Sequence, residues 1–416
     1  MRFKLLTKYM ASGENEIHIF SRKPEDGHQP GPAAEQPDIH IHEIDSPSGA
    51  INKFASSLFT IFASFFHSRP ARIAERKGAG QEKNWLVGVV AKADEVAAGK
   101  KQQGYEIIAI GTYSPIEALI AAKAISRKYK TPCILDFRDG FVFESRGREG
   151  IVYAALRKLI EKSIISSTDL ITSVSMPLVN YFKKRYPANR VEYLPNGFDR
   201  SEFTAGSSGQ EARLAENIDQ IFKSGHTVIG HFGRVSGSDT SRLESLRFLI
   251  DSINDFQGSL NALHLVFIGK LQEQDLSLLK KLKCHITVIP HLPREEILGI
   301  MGKCNFLLLI TGDLTSCATG KLFEYMASGP EIICVSGVEN EASHIIESTN
   351  CGQTLLVGDK QGAADMLQAI TAKAGITNGP RGSTEIFEKP YQARLLMKWI
   401  NEMSHEEARL SAVENQ

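Results

Sequence analysis

The sequence predicts an α/β protein built as two successive parallel-sheet domains, and three observations carry that prediction. From about residue 84 onward, short apolar runs alternate with helical patterns along nearly the whole chain. Several runs end in polar or glycine-containing turns, among them Asp136-Phe137-Arg138-Asp139-Gly140 and Gly233-Arg234. Open α/β sheets hold their ligands at such carboxyl ends of strands. Near the middle, Pro195-Asn196-Gly197 supplies a fixed φ and then a left-handed position, which makes a hinge between two halves.

Composition sets the outer limits. A chain of 416 residues has room for two or three domains, each with its own core. Lys plus Arg and Asp plus Glu are equal at 48, so bulk charge gives no reason to expect a nucleic-acid partner. The 6 cysteines are scattered without a CxxC pair, as expected of reduced thiols rather than a disulfide framework or a zinc site. No apolar run approaches the ~18 residues of a membrane span and no signal peptide opens the chain. A cytoplasmic protein is the expectation.

Met1 to Met10 reads as a helix and Glu16 to Ser21 as a strand. A doubly wound sheet normally begins with a strand and a glycine-rich turn, so the first strand of this domain is expected upstream of Met1. Arg22 to Pro37 reads as a surface loop and Ile39 to Ile44 as a strand. Asn52 to Phe66 places Phe54, Leu58, Ile61, Phe62 and Phe65 on one helical face, and Arg69, Arg72, Arg76 and Lys77 come directly after. That stretch, 54–77, suits an anionic membrane surface, or equally a domain core with solvated arginines.

Trp85 to Lys100 is the next helix, Ile107 to Gly111 a buried strand, and Ser114-Pro115 starts a helix running to Lys128. Cys133 to Leu135 is the strand that delivers Arg138 and Asp139. Asp136 and Asp139 are spaced DxxD, which is not a DxD metal motif, and no metal is expected there. Tyr153 to Ser167 is helical, Asp169 to Val174 a strand, and Ser175-Met176-Pro177 caps a further helix. Val191 to Leu194 closes the first half, and Ser201 to Gln210 reads as a linker or exposed loop.

The second half opens on the strand Thr227 to Phe232, whose Gly233 lets backbone N–H groups approach an anion. Leu263 to Ile268, Ile286 to Ile289 and Phe306 to Ile310 are strands, and a helix starts at Pro293. Then comes the most informative stretch, Leu314 to Val335: a polar loop, a short helix and a buried strand. Thr319 can cap the helix, Gly320 opens it, and Gly329-Pro330 ends it. Lys321, Glu324 and Ser328 share one face with Tyr325 beside them, while Phe323, Met326 and Ala327 are left for the core. One cation, one carboxylate and the N–H groups of a helix start suit a ligand with anionic and hydroxyl groups. Glu341 to Ser348, Ala363 to Ala372 and Tyr391 to Met403 are helices, with Leu355 to Val357 a strand.

Gly320-Lys321-Leu322-Phe323-Glu324-Tyr325-Met326-Ala327-Ser328-Gly329 resembles the donor-binding helix of retaining GT-B glycosyltransferases of the family 4 type. Pro195-Asn196-Gly197-Phe198-Asp199 resembles the passage between their two domains. The resemblance implies two Rossmann-like domains facing across a cleft, 1–196 and 197–389, with 390–416 as a helix crossing back to the first. It implies Glu324 on the ribose of a nucleotide-sugar, Gly233 and Arg234 at its diphosphate, and Ser316, Thr319, Gly320, Lys321, Leu322 and Asn196 around the donor. Ser316 stands where many members carry a second glutamate, and Asp239 stands near the place of a phosphate-binding lysine, for which Arg242 is a candidate substitute. Arg138 replaces a family histidine, and Asp139 matches the aspartate after it; both would face acceptor or donor sugar.

The same resemblance implies metal-independent transfer, with no cofactor beyond the nucleotide-sugar substrate, to a saccharide or lipid-linked saccharide in surface polysaccharide or lipopolysaccharide assembly. Contact with the inner face of the cell membrane would run through 54–77. The alternative is a catalytically degenerate GT-B protein that binds or scaffolds, supported by Ser316 and Asp239; an inverting enzyme or an epimerase of the same architecture ranks below it.

Overall fold

The computed structural model describes residues 2–12, 14–23, 37–45, 85–144, 151–166, 168–204, 220–223, 225–237, 239–290, 292–372, 375–376 and 381–414. The expected helix at 52–66 and its basic tail lie outside them. The chain divides into two compact units, Met1–Pro195 with Lys389–Gln416, and Asn196–Glu388. Asn196 therefore opens the second unit, and Lys389 returns the chain to the first.

The first unit holds a parallel sheet in the order β3 (Ala109–Tyr113), β4 (Cys133–Phe137), β5 (Leu170–Ser173) and β6 (Arg190–Tyr193). Along β4 the side chains alternate between two cores. Cys133, Leu135 and Phe137 pack with Leu119, Ile120, Ile164 and Phe182 on one face. Ile134 packs on the other with Leu6, Met10, Leu396 and Trp399. That two-sided burial is why β4 reads as a continuous apolar run. The second face is covered by the helices Arg2–Met10 and Lys389–Glu414, drawn from opposite ends of the chain. A separate pair of parallel strands, β1 (Ile17–Arg22) and β2 (Ile39–Ile44), runs in the register Ile17↔Ile39 and His18↔His40.

The second unit is a six-stranded parallel sheet in the order β12-β11-β10-β7-β8-β9. Its strands are β7 (Thr227–Phe232), β8 (Leu263–Ile268), β9 (His285–Ile289), β10 (Phe306–Ile310), β11 (Glu331–Ser336) and β12 (Gly352–Leu356). The chain runs outward from β7 to β9 and then crosses to β10 on the other side of β7. This is the doubly wound order of a dinucleotide-binding sheet, with its switch point between β7 and β10. In β10, Leu307 and Leu309 face one core while Phe306, Leu308 and Ile310 face the other.

Several expected boundaries move. The strand expected at Ile107 to Gly111 is Ala109–Tyr113, because register with β4 pairs Ala109 with Cys133. The strand expected at Leu355 to Val357 is Gly352–Leu356, paired along β11. Ser201–Thr204, expected as linker, makes one helical turn, with Asp199 Oδ1 accepting from Ser201 N–H at 3.0 Å. The helices Thr240–Asp255 and Glu273–Leu279 have no counterpart among the expected elements. Among the described residues no helix is long and apolar enough to cross a membrane.

Candidate functional site

The switch point of the second unit lies between the carboxyl ends of β7 and β10. Beyond β7, Gly233 takes φ +86°, a left-handed conformation that only glycine adopts without strain. A Cβ there would come within 3.2 Å of Lys321 Cε, so Gly233 lets the backbone run directly beside that lysine.

Lys321 comes from the Gly320–Ser328 helix, which starts shortly after β10. Gly329 at φ +107° ends this helix, and Gly329 N–H donates to Tyr325 O at 3.4 Å. Leu322, Phe323, Tyr325 and Met326 are buried, leaving Lys321, Glu324 and Ser328 on the partly open side. Three expectations are corrected here. Thr319 occupies the cap position, but its hydroxyl makes no cap bond and has no hydrogen-bond partner. Leu322 turns into the core, and its N–H donates to Thr319 O at 3.1 Å, so it offers no side chain to a donor. Tyr325 is fully buried rather than on the ligand side; its oxygen accepts from Phe232 N–H at 3.0 Å. Tyr325 thereby ties the helix to the end of β7, and burial holds its phenol above the ordinary range. Tyr325→Phe would leave the Phe232 N–H unpaired in the core and should lower stability by about 1–3 kcal/mol. Denaturant titration checks this; a variant as stable as the parent would remove that tie.

The Lys321 ammonium donates to Arg234 O and, at 3.3 Å, to His231 Nε2. His231 is fully enclosed, and burial followed by the neighbouring Lys321 pushes its imidazole down to about 3. It is therefore neutral. Both ring nitrogens face carbonyls, Nδ1 Leu308 O at 2.9 Å and Nε2 Arg234 O at 3.2 Å, and a neutral ring has one N–H. In the tautomer with that N–H on Nδ1, donated to Leu308 O, Nε2 accepts from Lys321, which also donates to Arg234 O. Burial, and then the positive charge of Arg242, bring Lys321 down to about 7 against the opposing pull of Glu324. Arg242 is thus within electrostatic reach of Lys321, on the first turn of the Thr240–Asp255 helix. Asp239, standing near the place of the family lysine, caps that helix: its Oδ1 accepts from Ser241 N–H at 3.1 Å. Its Oδ2 lies 3.3 Å from Arg242 Nε, which offsets part of the arginine's charge. The Arg234 side chain is exposed.

One turn beyond Lys321, Glu324 Oε1 accepts from Arg294 Nη1 at 2.5 Å. Arg294 Nη2 reaches Glu202 Oε2 at 2.9 Å, making a Glu–Arg–Glu chain. Burial works against the Arg294 guanidinium, but Glu324 and Glu202 reverse this and raise it. A carboxylate has room for about four hydrogen bonds, so Oε2 of Glu324 keeps the capacity to accept from a ligand hydroxyl. His231 and Arg294 were missed from sequence. Each left a trace: His231 is polar inside an otherwise apolar strand, and Arg294 puts a cation at a helix start, where acids are favoured.

The loop before the helix is braced. Thr315 O and Cys317 O accept from Glu341 N–H at 2.8 Å and Ala342 N–H at 3.0 Å, and Asn196 Nδ2 donates to Ala318 O at 3.3 Å. Ser316 is half-buried within this loop. The structure therefore brings Gly233, Arg234, Arg242, Lys321 and Glu324 to one end of one sheet, and Asn196, Ser316 and Thr319 to the loop leading into it.

In the first unit, Arg138 and Asp139 lie just past β4 and are both exposed. Asp136 is buried and accepts from Thr112 Oγ1 at 2.9 Å and Thr172 Oγ1 at 2.8 Å. The segment after Asp139 is pinned by buried Glu161, which accepts from Val142 N–H at 3.2 Å, Tyr181 OH at 2.6 Å and Tyr186 OH at 2.9 Å. Burial raises the Glu161 carboxyl. Its role here is to hold the loop that presents Arg138 and Asp139.

No family model and no curated protein matches the chain. Solved structures do. Sucrose-phosphate synthase from Thermosynechococcus elongatus shares 13% identity over 96% of this chain and 100% of its own, with a TM-score of 0.52. The UDP-forming α,α-trehalose-phosphate synthase from Burkholderia xenovorans, in complex with glucose-6-phosphate, shares 11% over 96% and 92%, with a TM-score of 0.53. Anabaena HepE in complex with UDP shares 14% over 96% and 100%, with a TM-score of 0.50. At these identities the likeness shows the fold, that of the GT-B proteins.

Proposed function

We propose that this protein is a glycosyltransferase that moves a sugar from a uridine diphosphate sugar to a saccharide or lipid-linked saccharide, with retention of configuration and without a metal. The observation that carries the reading is the juxtaposition at the β7–β10 switch point: Lys321 against Gly233-Arg234, and Glu324 one turn along the same helix. The first group suits a diphosphate and the second a ribose. UDP is the nucleotide bound in the HepE structure, which makes it the first to test.

In this reading Glu324 Oε2 accepts from the ribose hydroxyls while Arg294 fixes the carboxylate through Oε1. Lys321, Arg234 and Arg242 offset the charge that grows on the β-phosphate as the bond from the anomeric carbon to the diphosphate oxygen breaks. Such fixed cations are most effective where charge develops, and they stand in for a metal. The acceptor oxygen then attacks the face that the diphosphate leaves, through an oxocarbenium-like state, and its proton passes to the departing phosphate oxygen. Arg138 and Asp139 would orient the acceptor or the donor sugar. A role in surface polysaccharide or lipopolysaccharide assembly rests on the resemblance of the Gly320–Gly329 and Pro195–Asp199 stretches, and contact with the inner face of the cell membrane on the sequence of 54–77.

Thermal unfolding with uridine, guanosine and adenosine diphosphate sugars tests the donor. A ligand at 100 times its Kd adds about 2.7 kcal/mol to stability, so the uridine diphosphate sugar should raise Tm by several degrees; a shift with one of the other two instead would reassign the base. Arg234→Ala should cost one charged hydrogen bond, about 1.5–3 kcal/mol, and so weaken that ligand roughly 10- to 150-fold. An undiminished shift in the variant would displace the diphosphate from this strand end.

A second reading, a binding subunit without turnover, is favoured by Ser316 in place of a glutamate and by Asp239, which is committed to capping a helix and to Arg242. Nucleotide-sugar binding with neither transfer nor hydrolysis would select it.

A further inference from the structure

We propose that the β1–β2 strand pair of the first unit carries a metal site for a divalent ion of the zinc class, with Glu16, His18 and His40 as ligands. Parallel pairing sets His18 directly opposite His40, with their rings stacked at 4.7 Å and 20°. Glu16, just before β1, sends Oε1 to within 3.1 Å of His18 Nε2 and 3.0 Å of His40 Nε2. One ligand atom from each residue falls within a 4.8 Å span.

Bonds of about 2.0–2.2 Å to a tetrahedral zinc put ligand atoms about 3.3–3.6 Å apart. The two Glu16 contacts would therefore open by a few tenths of an ångström while the two imidazole nitrogens, within 4.8 Å of one another, settle to the same spacing. Two imidazoles and one carboxylate leave a fourth position for water, and nitrogen with oxygen donors suits zinc over the hard oxygen-seeking cations. The outer contacts also fit. His18 Nδ1 lies 3.0 Å from His42 Nε2, so the proton that His18 keeps on Nδ1 when Nε2 binds metal is accepted by His42. That is the usual way a ligating imidazole is oriented. His40 is 43% exposed, against 17% for His18 and 16% for Glu16, so the ion has an approach from the His40 side. One group opposes it: Lys100 Nζ holds Glu16 Oε2 at 2.5 Å, placing a positive charge beside the site. A bound ion would join two strands whose pairing alone is marginal.

The test is calorimetric titration of Zn²⁺ into the metal-free full chain under reducing conditions, with Tm recorded with and without chelator. One tight equivalent is expected, with a rise in Tm. His40→Gln, at an exposed position, should weaken that equivalent by more than tenfold, since even outer partners cost 10- to 100-fold. His42→Ala should weaken it less than His40→Gln does. Lys100→Met should tighten it, because the competing ammonium is gone; a purely structural ion pair would give no such gain. The second unit supplies a control, since His226, His264 and His285 gather with ring centroids 4.9 to 5.8 Å apart. Zinc lost in His226→Asn but kept in His40→Gln, or no equivalent tighter than adventitious binding in a parent protein that folds, overturns the proposal.

Discussion

Glu324→Ala should cripple transfer while leaving a folded protein. Two hydrogen bonds from ribose hydroxyls to an ionised carboxylate are worth about 1.5–3 kcal/mol each, so kcat/KM should fall on the order of 10²- to 10⁴-fold. The fold should tolerate the change, because Glu324 is 25% exposed and Arg294 keeps Glu202 as a partner. A pair that wet contributes at most about 1 kcal/mol. Glu324→Gln should recover part of the loss in nucleotide affinity, since an amide oxygen still accepts from a hydroxyl. Steady-state kinetics with the matched donor and a thermal melt on the same preparation make the comparison. Full activity in Glu324→Ala would remove the ribose from this helix, whatever nucleotide binds.

Nucleotide affinity should fall as pH rises through neutrality, and Lys321 should be the reason. Without ligand, its ammonium is held down at about 7 by burial and by Arg242. A bound diphosphate favours the charged form and raises that value, so binding takes up a proton. Between the free and bound values, affinity should drop by up to tenfold per pH unit and level off below about 7. His231, pushed down to about 3, stays neutral throughout and does not supply the step. Lys321→Met should bind more weakly at pH 6 and lose the pH dependence. The same lysine affects the fold in the opposite sense. A folded value below the unfolded one means that the enclosed ammonium disfavours the native state most fully below about 7, and that this penalty fades as pH rises toward the ordinary lysine value. Binding isotherms from pH 6 to 9 decide the first point; an equal slope in Lys321→Met would assign the proton elsewhere.

Much of the fold was legible because parallel strands buried on both faces leave continuous apolar runs. The ranges Thr227–Phe232, Leu263–Ile268 and Phe306–Ile310 are legible to the residue in this way, and Ile39–Ile44, which is not buried, is legible from its alternation. The helix from Gly320 was legible from its punctuation, glycine at each end and an amphipathic middle. The helix Thr240–Asp255 was missed although it carries the clearer cap, a bond from Ser241 N–H to Asp239. An Asp before Thr-Ser is a cap signal, but its position near the family lysine points equally to the ligand side, and only the bond to Ser241 N–H separates the two.

The sequence by itself determined which residues stand at the ends of strands and which face of each helix is apolar, since both arise from local periodicity and turn chemistry. Only the tertiary structure decided which charges meet: Arg294 with Glu324 across 30 positions, Lys321 with His231 across 90, and His18 with His40 through strand register. Pattern along a chain reports burial, which each residue settles nearly alone. A charge pair or a metal site depends on two or three distant segments arriving within a few ångströms, and no local propensity encodes that distance.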